Sequence, residues 1–241
     1  MNPKRIALVT GANKGIGKET VAQLSSKGLT VYLGSRDKNR GEAALIDLRK
    51  PDRDIRLVEL DVTDDSSRKR AFNQIHSESG KLDILINNAG IAIDRSAPSE
   101  APLESLRDTF ETNYFGAVAT TREMLPLLRH SDFRVIVNVS SELGSLTLHN
   151  VPDWPFAGVN ILAYNSSKTA LNAFTVLLAK ELKPEGFRVN SVNPGYTATD
   201  LNHFRGTGTV RDAAAVIVKY ALIGADGPTG GFFTTGGALP W

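Results

Sequence analysis

The chain has 241 residues, enough for one large α/β domain, since sheets covered by helices on both faces run past about 200 residues without dividing. It is 41% apolar and 22% charged with a net charge of +2; its basic residues are dispersed, giving no reason to expect nucleic acid, and no apolar run approaches the roughly eighteen residues of a membrane span. With no cysteine there is no disulfide framework and no thiolate zinc site, and a strand-like run starting at Arg5 leaves no room for a signal peptide, so a cytoplasmic location is expected.

Short β-rich runs alternate with longer segments of helical period. RIALVT (5–10) precedes a helical 17–28, TVYLGS (30–35) precedes 39–50, and IRLVEL (55–60) precedes 66–79. LDILINN (82–88) precedes a long segment from Leu103 to Arg129, in which Pro126 predicts a bend or an end to regular bonding. FRVIVNVS (133–140) precedes a helix from about Asn160 to Lys183; RVNSVNP (188–194), a helix at 212–223 and a last short GGFFTT close the series. Such alternation means crossover units and a parallel sheet, and strands apolar along their length, as LDILIN and RVIVNV are, suit burial on both faces. Seven strands in one doubly wound sheet are expected, with 1–241 a single domain. His76, His130, His149 and His203 show no metal-ligand spacing, so no metal is expected.

Directly after the first strand comes TGANKGIG, with Gly11, Gly15 and Gly17 leading into a helix. Glycine there permits a tight turn and lets the backbone approach a pyrophosphate facing the helix N-terminus. Further along stand LDV at Leu60 to Val62, NNAG at Asn87 to Gly90, Asn113 in TNYFG, Ser141 in NVSS, YNSSK with Tyr164 and Lys168, and PGYTAT from Pro194 to Thr199. In this order and over nearly the whole chain, the series resembles the classical short-chain dehydrogenase/reductase family. The resemblance implies a Rossmann fold with strand order 3-2-1-4-5-6-7, and a nucleotide held by Gly11, Asn13, Lys14, Gly15, Ile16, Gly17, Arg36, Asp61, Val62, Asn88, Ala89, Gly90, Tyr164, Lys168, Pro194, Gly195, Thr197 and Thr199.

Charge decides which nucleotide is expected. A carboxylate at the end of the second strand would suit the ribose of NAD and repel the 2′-phosphate of NADP. Ser35 stands there, followed by Arg36, with Lys14 in the glycine turn, so NADPH/NADP is favoured, although Asp37 could pair with Arg36.

The spacing of Tyr164 and Lys168 puts them on one helix face. An ammonium within ~4 Å of a phenol could lower its pKa by up to about three units, making Tyr164 a proton donor to a substrate oxygen on which charge develops. Ser141, at the carboxyl end of a buried strand, can donate to the same oxygen; Ser140 is the competitor on the opposite face, and the family pattern favours Ser141. By resemblance Asn113 holds a water that links the lysine to solvent, Ser141 stabilises the oxygen, Tyr164 is acid or base, and Lys168 modulates it and binds the nicotinamide ribose.

Two departures from the family bear on substrate. Between Ser141 and Tyr164 lie 22 residues, about ten more than the family's commonest arrangement, so an inserted substrate-side loop is expected at about 143–161, rich in apolar and aromatic residues. The segment after Thr199 is short. The expected site is open and walled by Ile91, Ile93, Leu143, Trp154, Phe156 and Tyr196, which favours an apolar small-molecule carbonyl compound. These features resemble the NADPH carbonyl reductase branch, in which insertions can block dimer pairing, so monomer and homodimer both stay open. The rival readings are a 3-oxoacyl-carrier-protein reductase type and a non-catalytic NADP-binding sensor.

Overall fold

The computed structural model describes residues 4–241. Its strands are β1 (Ile6–Val9), β2 (Thr30–Ser35), β3 (Asp54–Glu59), β4 (Ile84–Asn87), β5 (Val135–Val139), β6 (Arg188–Val192), β7 (Phe232–Thr234) and β8 (Gly237–Ala238). They form one sheet in the order β3-β2-β1-β4-β5-β6-β7-β8. All neighbours are parallel except β7 and β8, which pair antiparallel through Phe233 opposite Ala238. The seven expected strands are thus present in the expected order, and an eighth of two residues is added where the chain doubles back after Thr234. Too short for any periodic signal, β8 exists because β7 offers it an open edge.

The helices are α1 (Gly15–Ser26), α2 (Lys38–Leu48), α3 (Asp65–Ser79), α4 (Leu103–Phe110), α5 (Gly116–Arg129), α6 (Leu146–His149), α7 (Leu162–Leu182) and α8 (Val210–Ala221). Alternation along the strands divides the core between two layers. Ala7, Val9, Val31 and Leu33 pack with Val21 and Leu24 of α1, Ala44 of α2 and Ile217 of α8. Ile6, Leu8, Tyr32 and Leu85 pack with Ile75 of α3, Met124 and Leu127 of α5 and Leu178 of α7. Helices therefore cover both faces, and every residue of β1, β2, β4, β5 and β6 is buried.

Two expectations fail in instructive ways. α5 runs through Pro126 to Arg129, and the break in regular bonding falls instead at a π-turn, Glu111–Phe115, between α4 and α5. Pro126 stands in the last turn of α5, where the lost N–H bond disrupts little of the helix that follows. The central strands are also not apolar throughout. Asn87 Nδ2 donates to Asn138 Oδ1 (2.8 Å) and Thr121 Oγ1 (2.9 Å), Asn138 Nδ2 donates to Thr175 Oγ1 (2.8 Å), and Thr175 meets Ser191 (2.8 Å). This buried polar ladder ties β4, β5 and β6 to α5 and α7 near the ends of the strands that carry the site.

Removing its middle member leaves partners on both sides unsatisfied. Asn138→Ala should lower the free energy of unfolding by roughly 2–4 kcal/mol, read from urea denaturation; an unchanged midpoint would show that the ladder contributes nothing to stability.

Candidate active site

At the carboxyl ends of the strands, where open α/β sheets bind ligands, lies a cavity of about 660 Å³. Of the residues singled out from the sequence, all but Asn113 and Trp154 line it. One end is formed by the glycine turn. Lys14, in extended conformation, precedes α1 without a side-chain cap, and the first turn of α1 has no acidic residue, so the first N–H groups of the helix are left for an anion. Asn88 holds the turn, its Nδ2 donating to the carbonyls of Thr10 (2.8 Å) and Gly11 (3.1 Å). A Cβ at Gly17 would come within 2.5 Å of Asn88 Nδ2 and 2.7 Å of the Gly11 carbonyl oxygen, so only glycine lets helix, turn and Asn88 meet. Asp61 is fixed beside them, accepting from the Thr63 backbone (2.9 Å) and hydroxyl (2.7 Å).

The cations around this end differ in detail from expectation. Lys14 is paired with Asp200 at 3.3 Å, both side chains being about half exposed. Asp37 does not engage Arg36: it caps α2 by accepting from the Arg40 backbone (3.0 Å) and pairs with the Arg40 side chain (3.4 Å). Arg36 and Arg40 both face the cavity, and Arg40 was not foreseen because its place, one helical turn beyond Arg36, becomes visible only once α2 is set.

The other end gathers Ser141, Tyr164 and Lys168. Lys168 is 4% exposed, its Nζ donates to the Val139 carbonyl at 2.8 Å, and it lies 5.7 Å from the centre of the Tyr164 ring. Burial pushes this amine down to about 8. Burial also pushes the Tyr164 phenol up to about 12, outweighing the Ser141 hydroxyl that bonds to it. Burial thus outweighs any lowering of the phenol by the lysine, whose ammonium is bonded to a strand carbonyl and is itself desolvated. Ser140 and Ser141 both border the cavity, but Ser140 is buried with its hydroxyl 3.5 Å from the Lys168 carbonyl oxygen, whereas Ser141 is half-buried and bonds to Tyr164. Asn113 sits in the π-turn with both ends of its amide engaged: Oδ1 accepts from Ile91 N (2.8 Å), and Nδ2 donates to the Ile91 carbonyl (2.9 Å) and Ser167 (3.0 Å). It stands behind the cavity wall.

Ile93, Leu143 and Tyr196 line the cavity. Trp154 does not: only 9% exposed, it lies beneath the surface with its Nε1 on Glu142 (3.3 Å) and its ring edge-on to His149 (5.1 Å) and Phe156 (5.6 Å). Phe156 takes the wall position and meets Tyr196 at 5.9 Å. A large indole in a mixed loop buries itself, and its one donor finds the nearest carboxylate. Glu142, Asn193, Arg95 and His203 also line the cavity and were missed, having no motif of their own.

Residues 5–208 match the short chain dehydrogenase family. The chain belongs to that family. Among its relatives, (-)-isopiperitenone reductase of Mentha piperita is 34% identical over 98% of each chain. Salutaridine reductase of Papaver bracteatum is also 34% identical, over 95% of this chain and 94% of its own. The alignment with the Mentha reductase runs over 312 residues, longer than this chain's 241, so that relative carries stretches absent here. The structure of salutaridine reductase from Papaver somniferum superposes with a TM-score of 0.82 at 32% identity, covering 96% of this chain and 100% of that one. NADPH-bound carbonyl reductase from chicken fatty liver gives 0.87 at 26% identity over 99% of each chain.

The free orientation of Arg36 makes it the sharper probe of nucleotide choice. Arg36→Asp should lower the ratio of NADPH to NADH affinity by at least about tenfold, since two units of charge change beside a phosphate; fluorescence titration with each nucleotide reads it, and an unchanged ratio would remove Arg36 from the discrimination.

Proposed function

We propose that the protein reduces a ketone or aldehyde to the alcohol with NADPH, reversibly, and that its substrate is an apolar or aromatic carbonyl compound. The observation that carries this is the meeting, in one cavity, of an uncapped helix N-terminus flanked by arginines with a buried lysine and a half-buried tyrosine and serine. The residues fit the nucleotide: the first turn of α1 offers unpaired N–H groups to a pyrophosphate, and Arg36 and Arg40 face the side where a 2′-phosphate would lie. NADPH, when bound, supplies the hydride. Carbonyl reductases and plant ketone reductases among the relatives support the same class of substrate.

The chain's own residues account for the proton. As negative charge develops on the substrate oxygen, Ser141 and Tyr164 both donate to it. Tyr164 then gives up its proton. A phenol held near 12 stays protonated through the working range, yet it is still more acidic than an alcohol, so transfer to a developing alkoxide runs downhill. The Lys168 ammonium stabilises the phenolate that remains, at a range set by its bond to the Val139 carbonyl. Asn113 keeps the loop after β4 in place through Ile91, and its part in a proton relay falls to its backbone because its side chain is engaged. Leu143, Ile93, Phe156 and Tyr196 give the substrate an apolar seat. Residues 143–161 act as a substrate-side insertion in a single domain. No described helix is long and apolar enough to cross a membrane; the cytoplasmic reading rests on the cysteine-free composition.

Tyr164→Phe should reduce NADPH oxidation with an aryl ketone by at least about a hundredfold, within the usual range for a lost general acid, while leaving NADPH binding nearly intact; equal turnover would sink the mechanism. The pH profile follows from the lysine. Rising pH removes the proton first from Lys168, near 8, and only much later from Tyr164. The rate of reduction should therefore be level below about pH 8 and fall above it, and a rate that climbs from pH 7 to 10 would exclude the cationic lysine from the step.

A further inference from the structure

Glu142 follows Ser141 directly and lines the substrate end of the cavity. Its carboxylate is half-buried and held by neutral donors: Oε1 accepts from Asn193 Nδ2 at 3.2 Å, and Oε2 accepts from Trp154 Nε1 at 3.3 Å. Asn193 is itself fixed, because its Oδ1 accepts from Gly195 N at 3.1 Å, so its amide can only donate toward Glu142. The cations of the same cavity end are turned elsewhere, Lys168 to the Val139 carbonyl and Arg95 to the Leu201 carbonyl. A carboxylate taken partly out of water gains little from two long bonds to neutral groups, and an amide side chain could hold Trp154 as well. Each carboxylate oxygen keeps a lone pair beyond the one already used. Glu142 shares the cavity wall with Phe156, which packs on Trp154 at 5.6 Å, and with Tyr196, edge to face with Phe156 at 5.9 Å and 40% exposed. A preorganised carboxylate next to aromatic faces is the chemistry that receives an ammonium group.

We propose that Glu142 is a specificity-determining residue that binds a protonated amine, so that the preferred substrates are ketones or aldehydes carrying a cationic nitrogen on an apolar or aromatic body. This rests on the reading of the site as a carbonyl reductase and narrows its substrate class. The carbonyl lies on Ser141 and Tyr164, the nitrogen on the neighbouring Glu142, and the apolar body between them against Leu143 and Phe156.

Two ketones of nearly equal shape separate the charge from the rest, 4′-(aminomethyl)acetophenone and 4′-ethylacetophenone. Their dissociation constants from the complex of the enzyme with NADP⁺ are measured by calorimetry at pH 7, in low salt and in 0.5 M sodium chloride. The wild-type protein should bind the ammonium ketone roughly tenfold or more tightly, the scale of a hydrogen bond to a charged group. That preference should shrink in high salt and fall to near one in Glu142→Gln. Equal affinities in the wild type, no binding of either ketone, or a preference that Glu142→Gln retains would overturn the assignment. If the variant does not fold, the wild-type preference and its salt dependence decide. Oxidation of NADPH with either ketone is followed separately: absence of turnover with both defeats the carbonyl reductase reading, whereas the binding ratio alone judges Glu142.

Discussion

A buried ammonium held by one strand carbonyl constrains the rest of the site. Lys168 has lost nearly all its water and is repaid by the Val139 carbonyl at the end of β5. That bond needs β5 to end where it does and α7 to cross it at a fixed register. Because Tyr164 and Lys168 are one turn apart on α7, fixing the lysine also aims the phenol. Gly144 completes the fit: a Cβ there would lie 2.8 Å from the backbone of Lys168, so the turn carrying Ser141 and Glu142 rests directly on α7. Serine, tyrosine and lysine are therefore placed by the lysine's bond to β5 together with close packing of the Gly144 turn on α7.

Charge is distributed unevenly along the cavity. Lys14, Arg36 and Arg40 collect at the glycine turn, although Asp200 and Asp37 temper two of them, and Arg36 remains turned to the cavity. The opposite end carries the Glu142 carboxylate together with Lys168 and Arg95, whose charged ends bond to the Val139 and Leu201 carbonyls.

Much of this was legible in the sequence because it is written in short, local patterns. The order of strands and helices follows from apolar periodicity and turn residues, and the glycine turn, Ser141 and the Tyr164 to Lys168 spacing follow from motifs. What was not legible depends on contacts between distant segments. Reading β4 and β5 as apolar along their length passes over their asparagines, whose ladder to Thr175 and Ser191 forms only when the distant segments meet. Trp154 looked like a substrate wall because hydrophobicity cannot say which side of a loop faces inward, and Glu142 decided that by accepting its indole N–H. The tyrosine's shift went against expectation for a related reason: spacing shows that two groups are near, but burial sets the cost of their charges.

The sharpest test is the titration of Lys168 itself, followed by NMR in protein carrying ¹³Cε-labelled lysine and assigned by comparison with Lys168→Arg. A midpoint near 8, well below the roughly 10.4 of a solvated lysine, is expected from its burial against the Val139 carbonyl. A midpoint above about 10 would contradict a desolvated cation beside Tyr164.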